Sequence, residues 1–143
     1  MSYNAALEGM DPATRVFLAG LLLFLIIISI ITYVITAFLL GRVFKKAGIS
    51  AWIAWVPFYN GWKMLEMGDQ KGYWSVLMLV PIVNYAALVF HFIATYRIGI
   101  KFDKDGTFVL LAIFLPSVWL AWLAFDNSKW QDTAPSLTTV KYD

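Results

Sequence analysis

The chain has 143 residues, 61% of them hydrophobic and 14% charged, and its mean hydropathy is +0.71. A soluble domain carries about a quarter charged residues, so the composition points to a single domain of an integral membrane protein. A net charge of +2 gives no electrostatic footprint for nucleic acid, and the absence of cysteine excludes disulfides, thiolate metal sites and cysteine nucleophiles.

Residues 1–15 form a short polar segment in which Asp11-Pro12 has the signature of a helix start, Asp as cap and Pro in the first turn. Val16 to Leu40 follows as an uncharged run of 25 residues. A hydrocarbon core about 30 Å thick needs about 20 apolar residues, so this is the clearest span. Its length and its lack of a basic leader set it apart from a cleavable signal peptide. Ser29, Thr32 and Thr36 recur at helical spacing, which reads as close helix packing or as a polar path. Arg42, Lys45 and Lys46 then form a basic anchor, which by the positive-inside rule is cytoplasmic and puts the N-terminus outside. Gly48 ends the helix.

Residues 51–67 are too short and too interrupted for a simple span. Pro57 removes a backbone donor and Asn60-Gly61 is a turn signal. The expectation is a Pro/Asn-broken helix that re-enters the membrane or lies along its surface. Residues 74–96 and 107–125 are uncharged runs that read as two further spans, with Pro81 in the first and Pro116 in the second. Asn84, Leu88, His91 and Thr95 share one helical face of 74–96. Val56-Pro57-Phe58-Tyr59-Asn60 and Val80-Pro81-Ile82-Val83-Asn84 repeat the pattern V-P-x-x-N. This is one kink solution used twice, the Asn amide serving backbone that Pro frees, or a pair of broken helices around a solute site. Residues 127–143 are a polar C-terminal tail.

The fold class expected is therefore all-α and membrane-embedded, with residues 16–126 as the membrane domain, about three transmembrane helices and one re-entrant or interfacial helix. Four transmembrane helices are the alternative. With three spans the cytoplasmic side holds Arg42, Lys45, Lys46, Lys63, Lys71, Lys129 and Lys141, against Arg15, Arg97, Lys101 and Lys104 outside. With four, the balance is six against five. Both obey the charge rule. The three-span count is the more asymmetric and leaves the C-terminus in the cytoplasm.

Phe44-Lys45-Lys46-Ala47-Gly48, Trp52, the two V-P-x-x-N strings, Gly72-Tyr73-Trp74, and Leu115-Pro116 before Phe125-Asp126 together carry a resemblance. Over residues 16–130 the chain resembles an uncharacterised bacterial membrane domain. That domain stands alone in small proteins and also precedes the catalytic part of some Bacteroidetes type I signal peptidases. One departure is Phe102-Asp103, where the family usually has Phe-Gly. The resemblance implies residence in the bacterial cytoplasmic (inner) membrane. It does not carry over the peptidase chemistry, whose Ser and Lys lie in a separate extracytoplasmic domain.

No constellation for catalysis or for a metal is legible. No carboxylate lies inside a span, and no serine has a Lys or His at catalytic spacing. The polar intramembrane candidates are Asn60, Asn84 and His91. Lone intramembrane His91 reads as a neutral interhelical hydrogen-bonding group or as an axial ligand to a haem or pigment. No cofactor is expected on balance. The leading expectation is a non-catalytic accessory or scaffold subunit of a larger membrane complex, with membrane lipids around it and the translocon or a signal peptidase as partner. The alternatives are a small oligomeric transporter or channel with its site at the Pro57–Asn60 and Pro81–Asn84 breaks, and a cofactor-binding subunit using His91.

Overall fold

A computed structural model describes residues 3–132, so Lys141 and most of the polar tail lie outside the described residues. Every regular element among them is helical: α1 (Tyr3–Glu8), α2 (Pro12–Lys46), a 3-10 turn (Ala51–Trp55), α3 (Tyr59–Met67), α4 (Trp74–Leu77), α5 (Asn84–Lys101), α6 (Phe108–Phe114) and α7 (Pro116–Phe125). Of these, only α2 is long and apolar enough to cross a membrane. The chain divides inside α2 into two units, Met1–Ile35 and Thr36–Asp143.

In the first unit, α2 starts where Asp11-Pro12 predicts. The Asp11 carboxylate accepts from the Thr14 N–H at 3.0 Å, and Arg15 donates back to Glu8 O at the end of α1 (2.9 Å) and to Met10 O in the turn after it (3.0 Å). From Ala19 to Ile35 every residue is exposed. Hydrocarbon on all sides is the signature of a helix whose solvent is lipid or another protein rather than water.

The second unit is built from helices that break at proline and fold back. Trp52 lies against Tyr59 across Pro57, with ring centroids 6.1 Å apart. Trp74 stacks on Phe90 at 4.3 Å across the turns around Pro81. Phe108 meets both Trp119 (6.2 Å) and Trp122 (6.0 Å) across Leu115-Pro116. Fourteen residues of unbroken helix rise about 21 Å, so the contact between Phe108 and Trp122 requires α6 and α7 to be antiparallel. The last turns of α2 close the core: Leu39, Leu40, Val43 and Phe44 pack with Ile53, Ala54, Met67, Ile98, Phe102, Trp119, Leu120, Leu123 and Ala124.

Three of these helices stop in the same way, at the same end of the unit. After α2, α3 and α5 the chain enters the left-handed region at Gly48 (φ 77°), Asp69 (φ 58°) and Asp103 (φ 60°). In each case the next N–H bonds back five residues: Ile49 to Phe44 O, Gln70 to Leu65 O, Lys104 to Gly99 O, at 2.8–2.9 Å. This supplies a physical reason for the Phe-Gly pair of the resembling family. Position 103 is a left-handed helix terminus, where a Cβ is disfavoured. We expect Asp103→Gly to stabilise the protein by about 0.5–1 kcal/mol. The check is thermal unfolding in detergent, where a lowered midpoint would contradict the assignment.

The two runs expected as single helices are broken, and three spans are not confirmed. The run 74–96 is not one helix but α4, a turn segment and α5. The run 107–125 is the hairpin α6–α7. Both the three-span and the four-span arrangements separate Lys101 from Asp69, and Lys104 from Asp126, by a bilayer. The structure pairs them: Lys101 Nζ lies 2.6 Å from Asp69 Oδ1, while Lys46 (2.9 Å) and Lys104 meet the two oxygens of Asp126.

Candidate functional site

Two regions of the second unit concentrate polar groups. The first is a partly open cavity of about 210 Å³ beside the kink at Pro116. Its walls come from Thr36 and Leu40 of α2, Met64 of α3, His91, Phe92 and Thr95 of α5, Ala112 of α6, and Pro116, Trp119 and Leu120 of α7. Pro116 has no N–H to give to the carbonyl four residues back, that of Ala112. Trp119 is buried, yet its indole Nε1 has no hydrogen-bond partner among the described residues. The Thr95 hydroxyl bonds the His91 carbonyl at 2.9 Å, one turn back on α5, so it is satisfied locally. His91 is half-buried, with its ring edge-on to Phe92 at 6.1 Å. The cavity thus has one imidazole in a largely apolar wall, and the buried Trp119 of that wall carries an unsatisfied donor. Its volume falls below the range of about 300–1,000 Å³ typical of small-molecule pockets.

The structure treats the two asparagines differently. Asn60 gives its amide N–H to the Ala54 carbonyl at 3.1 Å, across the Pro57 break, which is the kink-satisfying role. Asn84 is the first residue of α5, and its backbone N–H bonds Val80 O at 2.8 Å. Neither lines the His91 cavity, and Asn60 is committed to its own backbone, so the V-P-x-x-N repeats do not assemble a shared polar site around it.

The second region is the polar end, where the basic anchor sits. Arg42 Nε donates to Ala124 O at 3.2 Å, and its guanidinium lies 4.7 Å from the Phe125 ring. Lys46 Nζ donates to Leu123 O (2.5 Å), Asp126 O (2.7 Å) and Asp126 Oδ1 (2.9 Å). Two cations of α2 therefore cap the C-terminus of α7, where carbonyls lack helical partners and the helix dipole is negative. Lys45 is exposed beside them. It lines an open groove of about 530 Å³ together with Phe38, Arg42, Lys46 and Trp55.

Sequence reasoning missed the other half of this end. Lys101 is 4% exposed. Its ammonium donates to Met67 O at 2.8 Å and Asp69 Oδ1 at 2.6 Å, and it lies 5.2 Å from the Trp130 ring. Arg97 reaches the other oxygen of Asp69 at 3.3 Å. Burial pushes the Asp69 carboxyl up, but the bonds and charge of Lys101 and then Arg97 outweigh it and hold the group below the usual carboxylate range. At Asp126 burial again raises the pKa, and hydrogen bonds from Lys104, Ser128 and Lys46 bring it far below the ordinary value. The only sequence signal was the placement of Asp69 and Asp126 just past two apolar segments.

Among the described residues no three His, Cys, Asp or Glu side chains come together as a metal site would need. The chain matches no curated protein and no solved structure. Residues 52–133, which contain the Pro-broken helices, the cavity wall from Met64 to Leu120 and both acidic ties of the polar end, match the profile of a family of unknown function, DUF5684, and the chain belongs to that family.

Proposed function

We propose that this protein is a non-catalytic accessory subunit of a larger bacterial inner-membrane complex, anchored by residues 16–40 with its N-terminus outside and its C-terminus in the cytoplasm. The observation that supports this reading best is the uniform exposure of α2 from Ala19 to Ile35. Apolar side chains exposed over that length offer a face to a second membrane protein, and Ser29 and Thr32 give that face small polar groups of the kind that let helices approach closely. The second unit supplies the rigid part of such a subunit. Its helices are tied at one end by two charged clusters, and its chemistry is spent on holding helix ends. The resemblance to the membrane region of fused signal peptidases makes the protein-export machinery the first partner to test. Anionic lipid headgroups are a further ligand for the Lys45 groove, at about 1 kcal/mol per basic residue.

The test is purification of the tagged protein from its native membrane in mild detergent, followed by native gels and mass spectrometry. A stoichiometric larger membrane protein is the expected result, and Ser29→Leu with Thr32→Leu should lower its yield. Purification as a discrete homo-oligomer with nothing bound would overturn the reading.

A further inference from the structure

We propose that the second unit enters the membrane only as hairpins that return to the face they left, so that residues 51–67, 74–101 and 108–125 all re-enter and α2 alone crosses. Three observations converge on this. The first is the polar end, where Lys46, Asp69, Lys101, Lys104 and Asp126 are joined by ion pairs. These residues flank every apolar segment of the unit, so each segment begins and ends at one level. The second is the proline in each excursion, with rings from the two arms packed on one another across it at 4.3–6.2 Å. The third is the character of the tips. Phe58, Ile82 (86% exposed), Tyr85 (76%), Phe114 (77%) and Leu115 are bare apolar side chains with no charged residue among them.

Arm lengths fit the same picture. At 1.5 Å per residue α6 and α7 are about 10 and 15 Å long, a third and a half of a hydrocarbon core, and α5 at about 27 Å falls just short of its full thickness. Broken backbone at that depth is tolerated where protein covers it, and the arms cover one another. Acyl chains are the occupant that suits the tips, because they are uncharged and apolar on a unit whose charge is confined to the opposite end. The charge rule then sharpens: of the basic residues within 3–132, nine lie on the side of the polar end and Arg15 alone precedes the spanning segment.

The chain contains no cysteine, so single-cysteine variants need no altered background. Glu8→Cys, Ser50→Cys, Lys71→Cys, Asp105→Cys and Lys129→Cys replace exposed residues. Each is treated with a membrane-impermeant maleimide in intact cells and in inside-out vesicles. The expected result is labelling of the last four from the same face and of Glu8→Cys from the other. Labelling of Asp105→Cys from the face opposite Ser50→Cys and Lys129→Cys would restore three spans. Labelling of Lys71→Cys opposite Ser50→Cys would restore four. If all five label from one face, α2 does not cross. If the Lys71 or Asp105 variant fails to fold, Gln70→Cys and Thr107→Cys report the same two loops.

The tips are tested in proteoliposomes of the purified protein alone, which removes any partner. A bimane on Ile82→Cys or Phe114→Cys should lose its fluorescence to nitroxides carried on the acyl chains and keep it against a water-soluble quencher. Quenching from water only would overturn the assignment of lipid to the tips.

Discussion

Replacing Gly68 by alanine is expected to cost about 3 kcal/mol or more, at the upper end of what overpacking does. Gly68 ends α3 where that helix crosses α5. A Cβ built on it falls 2.2 Å from Ala94 Cα, 2.5 Å from Ala94 Cβ and 2.5 Å from the Ala94 carbonyl oxygen. Two of those three atoms are backbone, so no rotamer change relieves the clash and the α3–α5 crossing itself must open. That crossing also carries the bonds from Lys101 to Met67 O and Asp69, which would be pulled apart with it. The measurement is the unfolding midpoint in detergent, with Gly20→Ala as comparison. Gly20 has nothing within 4 Å of its Cβ position, so its substitution should be neutral or stabilising by about 0.5–1 kcal/mol, as for any exposed helical glycine. Because backbone atoms block the site, Gly68→Ala combined with Ala94→Gly should remain unstable. Recovery in that double variant would show that the Ala94 side chain alone sets the spacing.

What the sequence could and could not disclose follows from the range of each signal. Local signals read well. Asp11-Pro12 marks the start of α2, Gly48 its end, and Pro57, Pro81 and Pro116 sit where regular helix is interrupted. These depend on groups within one turn of each other. The route of the chain after each proline was not legible, because hydropathy measures whether a segment is apolar and not whether it turns round. An uncharged run from Trp74 to Tyr96 has the composition of a crossing helix whether it crosses or folds back at its middle. The charge rule did not decide either, since basic residues flank apolar runs on any path. What supports the folded-back path proposed above is the meeting of Lys101 with Asp69 and of Lys46 and Lys104 with Asp126, contacts between residues 22–80 positions apart that no window of sequence contains. The tool for finding them was nonetheless present. Asp69 and Asp126 each stand just past the end of an apolar segment.

Its pairing with both Lys46 and Lys104 makes Asp126 the residue on which the polar end depends most. Asp126→Asn keeps the shape and removes the charge, leaving Lys46 and Lys104 facing each other without an anion between them. Both lysines and the aspartate are about one-fifth exposed, so solvent screens them only in part. Loss of one partner from such a charge-assisted cluster costs about 2–3 kcal/mol at neutral pH. The pH dependence gives a second, independent reading. The folded pKa of Asp126 lies far below its ordinary value of 3.8. The unfolded chain therefore takes up the proton first as pH falls, and the stabilisation is present in full above about pH 4 and lost progressively below it. Asp69, lowered in the same direction, contributes to the same acid limb. Unfolding midpoints of the parent and of Asp126→Asn should differ most at pH 6–7 and converge as the pH falls through the acid range. A constant gap across that range would mean that the carboxylate acts through shape and not through charge. Lys46→Met separates the two ties that Lys46 makes. It should lower stability at every pH through the uncapped carbonyls of Leu123 and Asp126, and it should weaken the acid limb only in part, because Lys104 and Ser128 still hold the carboxylate.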